Sequence, residues 1–304
     1  MSRIHEALKK AEEERALAQS TRPDSPAAML DLLSPSANPI ASAPVMSGAA
    51  PSMALSTEIS LARSRQTKWH PDPNTMLFFS NEEHAPGMEE FRTLRTRLYQ
   101  AREKQPLSKL LVTSALPKEG KSFTSANLAQ VIVRQHGKRV LIIDADLRNP
   151  QLHALLGAEP GPGLCEYLRA ENDECSIMQR GPMENLFFIP AGRNSGNPAE
   201  LVGSGRMKVL LTRVEPMFDW IIIDSPPSVL VSDAGLLANY CDGVLLVVRS
   251  NSTPVDAAKR ARKEFAERNV VGVVLNGISS EESPYSQYYY PSYGQAAGKS
   301  EASN

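Results

Sequence analysis

Apolar residues in this chain gather into short continuous runs such as Leu110–Val112, Val140–Ile143, Ile221–Ile223 and Val244–Val248. Several of these runs lack the polar alternation of a half-exposed strand, so they suit a parallel sheet buried on both faces. The pattern predicts strands at 109–114, 139–144, 186–190, 220–224, 243–248 and 270–276. Between them, helical spacing predicts helices at about 87–104, 121–136, 198–214, 231–239 and 254–268. The first of these carries Met88, Phe91, Leu94, Leu98 and Tyr99 on one side. Alternating strands and helices with right-handed crossovers give an α/β fold with a doubly wound, mostly parallel sheet. Ligands then bind at the C-terminal ends of the strands. The chain carries no detectable internal repeat.

Outside this region the pattern changes. Ile4, Ala7, Leu8 and Ala11 recur at helical spacing after Ser2, which predicts a short amphipathic N-terminal helix over 1–19. Such a helix is marginal alone in water, so its stripe is expected to dock on another surface. From Ser20 to about Asn74 the chain turns to Pro, Ala, Ser and Met without periodicity, the signature of a disordered linker. A coil of about 55 residues averages roughly 40 Å end to end. The organisation read from sequence is therefore a helix at 1–19, a linker at 20–80, a globular domain at 81–280 and a flexible tail at 281–304.

Composition narrows the function. The 304 residues carry a formal net charge of −1, with no long basic block, so no nucleic-acid partner is expected. Cys165, Cys175 and Cys241 show no metal or redox spacing, and the five histidines are equally dispersed. No run approaches bilayer length, and the N-terminus lacks a signal-type apolar core. The expectation is a cytoplasmic protein that reaches a membrane only through a partner.

The chemistry concentrates after three predicted strands. Ala115, Leu116, Pro117, Lys118, Glu119, Gly120, Lys121 and Ser122 follow the first strand and precede a helix. This is the setting of a phosphate-binding loop, in which backbone N–H groups and a helix N-terminus face the anion. It predicts that Pro117–Phe123 bind a nucleotide, with Lys121 on the β- and γ-phosphates and Ser122 on magnesium. Only the first glycine of the general pattern is missing, replaced by Ala115. Asp144, Asp146 and Arg148 lie just past the second strand, and Asp224, Ser225, Pro226 and Pro227 end another. Beside a phosphate loop, strand-end carboxylates hold magnesium or accept the nucleophile's proton. Asp224 is assigned to the metal, and Asp144 or Asp146 to the second role, as metal ligand or proton acceptor. As a helix cap, each aspartate would also be ordinary.

The last 24 residues add an acceptor. Tyr285, Tyr288, Tyr289, Tyr290 and Tyr293 crowd among Ser, Pro, Gly and Gln, in a stretch too polar for a core. Phosphorylating these phenols would add about −1.5 to −2 charges each, enough to drive the tail from an acidic site.

Together the three motifs resemble the bacterial tyrosine kinase family of capsular and exopolysaccharide synthesis, in its form with a separate cytoplasmic kinase. The resemblance covers residues 86–293. The loop with Ala115 and Pro117 fits the family pattern better than the general one. Asp144, Asp146 and Arg148 match its second motif and Asp224–Pro227 its third. It implies a phosphate-loop NTPase fold of the deviant Walker type, using ATP and Mg2+. It further implies that Lys121, Asp144, Asp146 and Asp224 are catalytic, that Ser122, Asp144 and Asp224 bind the metal, and that Arg148 contacts nucleotide. Asn276 resembles an adenine-contacting asparagine of related ATPases. Glu89, Arg92 and Arg95 resemble a helix that makes subunit contacts in a ring. Asn197–Leu201 resembles a segment near the family's site and is also a clean helix start. Met1–Arg15 resembles the N-terminal segment of kinases from exosortase-linked loci. The implied partners are further copies of the chain, a membrane adaptor of the polysaccharide co-polymerase type and a cognate phosphatase. Two other functions fit parts of the pattern: a partition or cell-division ATPase, which usually has lysine where Leu116 stands, and a nucleotide-bound scaffold.

Overall fold

The computed structural model describes residues 61–73, 75–79, 86–135, 137–193 and 196–278. The expected N-terminal helix, most of the expected linker and the tyrosine tail lie outside the described residues.

The described chain runs β1 (Arg65–Gln66), α1 (Met88–Lys104), β2 (Lys109–Ser114), α2 (Lys121–Val133), β3 (Val140–Asp144), α3 (Leu152–Leu156), α4 (Leu164–Leu168) and β4 (Gln179–Arg180). It continues through β5 (Leu186–Ile189), α5 (Pro198–Gly203), α6 (Arg206–Val214), β6 (Trp220–Asp224), α7 (Asp233–Ala238), β7 (Gly243–Arg249), α8 (Val255–Glu264) and β8 (Val270–Asn276). The strands form one sheet in the order β1-β4-β5-β3-β6-β2-β7-β8, parallel except for the β4–β5 pair. The doubly wound, mostly parallel α/β sheet is the architecture that the apolar runs predict.

Successive residues of the central strands enter opposite cores, as strand geometry requires. Leu111, Leu141, Ile143, Ile221 and Ile223 pack on one face with α4, α6 and α7. Leu110, Val112, Val140, Ile142 and Ile222 pack on the other with α1 and α2. Helix α2 is buried on nearly every side, including its polar residues Thr124, Ser125, Asn127 and Gln130. Helix α1 has Glu89 and Glu90 in its first turn and Arg102 and Lys104 in its last, matching the helix dipole.

Three differences from the sequence reading have physical causes. The expected linker does not extend to residue 80. Instead, residues 61–73 and 75–79 fold onto the domain: β1 pairs with β4, and Trp69, Met76, Leu77 and Phe78 are buried in the second core. Beyond the helical Leu61 and Ala62, the strap forms only a two-residue strand, which leaves no periodicity to detect. The helix expected at 198–214 is two helices, because Gly205 takes φ +76° between them. Helices α3 and α4, five residues each, are too short for a periodic signal, and their formation depends on packing.

Among the described residues no helix is long and apolar enough to cross a membrane.

Candidate active site

The site forms where β2, β3 and β6 end side by side. β6 lies between β2 and β3, and Asp144 is in register with Asp224 on the neighbouring strand. Two runs that both terminate in aspartate therefore deliver two fully buried carboxylates to one edge. The loop after β2 closes over them, and α2 begins at Lys121.

Gly120 turns the chain into α2 with φ +94°, and a Cβ there would lie 1.9 Å from Asn276 Nδ2. Both the backbone angle and the close approach require glycine. The rest of the loop is braced by side chains. Glu119 accepts hydrogen bonds from the Leu116 N–H at 2.8 Å and from the Thr253 hydroxyl. Asn276 Nδ2 donates to the Glu119 carbonyl at 2.9 Å, and Arg249 Nη1 to the Lys118 carbonyl at 3.3 Å. Asn276, expected on adenine, thus holds the phosphate loop.

Lys121 reaches across the mouth of the loop to Asp146, with Nζ 2.9 Å from Oδ2. Burial works against its charge, but Asp224, Asp146 and Asp144 together hold its pKa above the ordinary lysine value. Ser122 Oγ donates to Asp224 Oδ2 at 2.6 Å, and Ser125 Oγ to Asp224 Oδ1 at 3.1 Å. Burial pushes the Asp224 pKa up to about 6, against the opposing pull of Lys121 and the Ser122 hydroxyl. Burial, reinforced by the charge of Asp224, also raises Asp144 well above the usual carboxylate range. Asp144 accepts N–H groups from Asp146 at 3.3 Å and Leu152 at 3.0 Å, so it organises the loop after β3.

Three carboxylates therefore share one ammonium in a dehydrated site, a deficit of positive charge that a cation would relieve. Among the described residues no three acidic, histidine or cysteine side chains form a metal cage. Magnesium in phosphate-loop sites is bound instead through one or two protein oxygens, phosphates and water. The hydroxyl–carboxylate pair of Ser122 and Asp224 has that donor chemistry and fits the ion.

Arg148, expected on nucleotide, grips Asp233 with a bidentate pair, Nε–Oδ2 2.8 Å and Nη2–Oδ1 3.0 Å. This clamp fastens the loop after β3 to α7. Asp233 and Ser125 are site residues that the motifs did not reveal. Ser125 could have been found from its position one turn beyond Ser122, whereas the Asp233 contact has no local signal. Of the expected oligomer contacts, Glu89 and Arg92 pair with each other on α1 at 3.0 Å. Arg95 donates to the Val131 carbonyl of its own α2.

Comparison with known proteins agrees with this geometry. A family model described as an AAA domain matches residues 119–259. The tyrosine-protein kinase YwqD of Bacillus subtilis is 37% identical over 204 residues, covering 66% of this chain and 85% of YwqD. The putative tyrosine-protein kinase EpsB of Ralstonia nicotianae is 35% identical over 69% of this chain, which spans only 29% of that longer protein. The solved kinase domain of Escherichia coli tyrosine kinase ETK superposes with a TM-score of 0.60 at 34% identity. That match covers 62% of this chain and 75% of the ETK domain. With its phosphate loop, its paired strand-end aspartates and a likeness that covers 85% of YwqD, the chain belongs to the bacterial tyrosine kinase family.

Proposed function

We propose that the protein is an ATP-dependent protein-tyrosine autokinase that phosphorylates Tyr285, Tyr288, Tyr289, Tyr290 and Tyr293 on the tail of a neighbouring copy. The convergence of Lys121, Ser122, Asp144, Asp146 and Asp224 at one sheet edge carries this reading. The phosphates of ATP bind the N–H groups of the Gly120 turn and the α2 N-terminus. Lys121 would exchange Asp146 for phosphate oxygens, and Ser122 and Asp224 would hold magnesium. When bound, the ion neutralises charge on the phosphate oxygens. A tyrosine oxygen attacks the γ-phosphorus as the bond to ADP breaks, and the phenolic proton passes to a carboxylate of the Asp144–Asp146 pair. Phosphorylated tails then leave the acidic site, and a ring held by Glu89, Arg92 and Arg95 loosens.

In this reading the enzyme works at the cytoplasmic face of the membrane, recruited by an adaptor of the polysaccharide co-polymerase type and reset by a phosphatase. Its output is control of polysaccharide polymerisation or export, in keeping with the resemblance noted from sequence. The test is incubation with magnesium-ATP, with and without Lys121→Met, read as phosphotyrosine by mass spectrometry. Label on the tail tyrosines that Lys121→Met abolishes supports the proposal. Robust ATP hydrolysis with no labelled tyrosine, even with the adaptor's cytoplasmic segment added, overturns it in favour of an ATPase switch.

A further inference from the structure

The strap at residues 61–79 is tied to the helix that carries the phosphate-loop lysine. Asn127 and Gln130, on α2, have no exposed surface. Asn127 Oδ1 accepts the Leu77 N–H at 2.9 Å, and Gln130 Oε1 accepts the Phe78 N–H at 3.2 Å. The Asn127 amide also donates to the Thr75 carbonyl at 2.9 Å and to the Phe123 carbonyl at 3.0 Å. One side chain thereby joins the strap to the first turn of α2, next to Lys121 and Ser122. Arg134, at the end of the helix, donates to the Phe78 carbonyl.

An aromatic route runs beside the polar one. Phe78 meets Phe91 edge-on with centroids 6.3 Å apart, and Phe91 meets Phe123 at 5.8 Å. Phe123 directly follows Ser122. If the strap left, two amide oxygens would lose their partners inside an apolar core, each at a substantial desolvation cost. The helix would have to move, and its N-terminal turn with it.

We infer that Asn127 and Gln130 are positioning residues through which the strap at 61–79 sets the affinity of the phosphate loop for nucleotide. The inference rests on the nucleotide site proposed above. A load on this strap would therefore act on nucleotide binding. Linkage requires the reverse as well: nucleotide must tighten the strap by the same factor.

The test uses the full chain and magnesium-ADP. Hydrogen exchange is measured at the Leu77 and Phe78 amides with and without saturating nucleotide. The ADP Kd is measured by titration for the wild type, Gln130→Met, Phe78→Ala and a control, Phe187→Leu, in the opposite core. Nucleotide should slow exchange at both amides. Gln130→Met and Phe78→Ala should raise the Kd by about 5- to 10-fold, while the control, compared at an equal distance below its Tm, should leave it unchanged. Gln130→Glu, which keeps the acceptor, should recover part of the Kd lost in Gln130→Met. ADP binding with unchanged exchange at Leu77 and Phe78, or a Kd no more sensitive to the strap than to the control, overturns the inference. Failure of the wild type to bind ADP at all removes the proposed function and this inference with it.

Discussion

Strand β6 is entered beside one aspartate and left through another, and the two have opposite characters. Asp219, just before the strand, accepts the Arg139 N–H at 2.9 Å and faces Lys138 at 3.1 Å. Burial opposes its charge, but these partners hold its pKa below the usual value. Asp242, before β7, is similar. It accepts N–H groups from Ser108 and Lys109, faces the Lys109 ammonium at 3.2 Å, and is held low by those N–H groups against burial. At the far end of β6, Asp224 has two hydroxyl donors, the charge of Lys121 and two carboxylate neighbours. Burial prevails there, and the group is pushed up to about 6. The N-terminal end of the sheet is electrostatically satisfied and holds the fold. The C-terminal end is left short of positive charge, as the proposed binding of a cation and a phosphate chain requires.

Substitutions at the two ends should therefore separate activity from stability. Asp224→Asn is expected to lower kcat/KM for tyrosine phosphorylation by at least about 100-fold without lowering Tm. A carboxyl with a raised folded pKa stabilises the fold only while protonated and loses that contribution as pH rises through about 6. A neutral amide at pH 7 removes that penalty, so a large fall in Tm would break the comparison. Asp242→Ala should do the reverse. Urea unfolding at pH 7 should show a loss of about 1–3 kcal/mol, while the ADP Kd stays near that of the wild type.

A smaller effect sharpens the picture within the site. Asp146→Asn frees Lys121 from its 2.9 Å partner, so nucleotide should bind a few-fold more tightly as phosphotransfer slows. Weaker binding would mean that Asp146 orders the loop more than it competes with phosphate. The smallest effect is the acid limb of stability. Asp219 and Asp242 have depressed folded pKa values, so their contribution is complete above about pH 4 and is lost as pH falls through the folded values. The urea midpoint should drop over that range in the wild type, and by less in Asp242→Ala.

Much of this site is legible in the sequence because its signals are local. A strand, a glycine turn and a helix start lie within fifteen residues, and Asp144 and Asp224 each end an apolar run. What escaped detection depends on distant partners. The pairing of Arg148 with Asp233, 85 residues away, has no local signal. Nor does the sequence show that Asn276 Nδ2 meets the Glu119 carbonyl, 157 positions earlier. The strap at 61–79 has no period to read, since its order comes from Trp69, Met76 and Phe78 filling gaps in a core built elsewhere.

The sequence by itself determined six of the eight strands, the phosphate loop and the identity of the carboxylates, because continuous apolar runs and a glycine turn dictate backbone locally. Only the tertiary structure decided which charges are satisfied. Burial and pairing depend on neighbours contributed by remote strands, and that difference separates an aspartate that holds the fold from one poised to bind a cation.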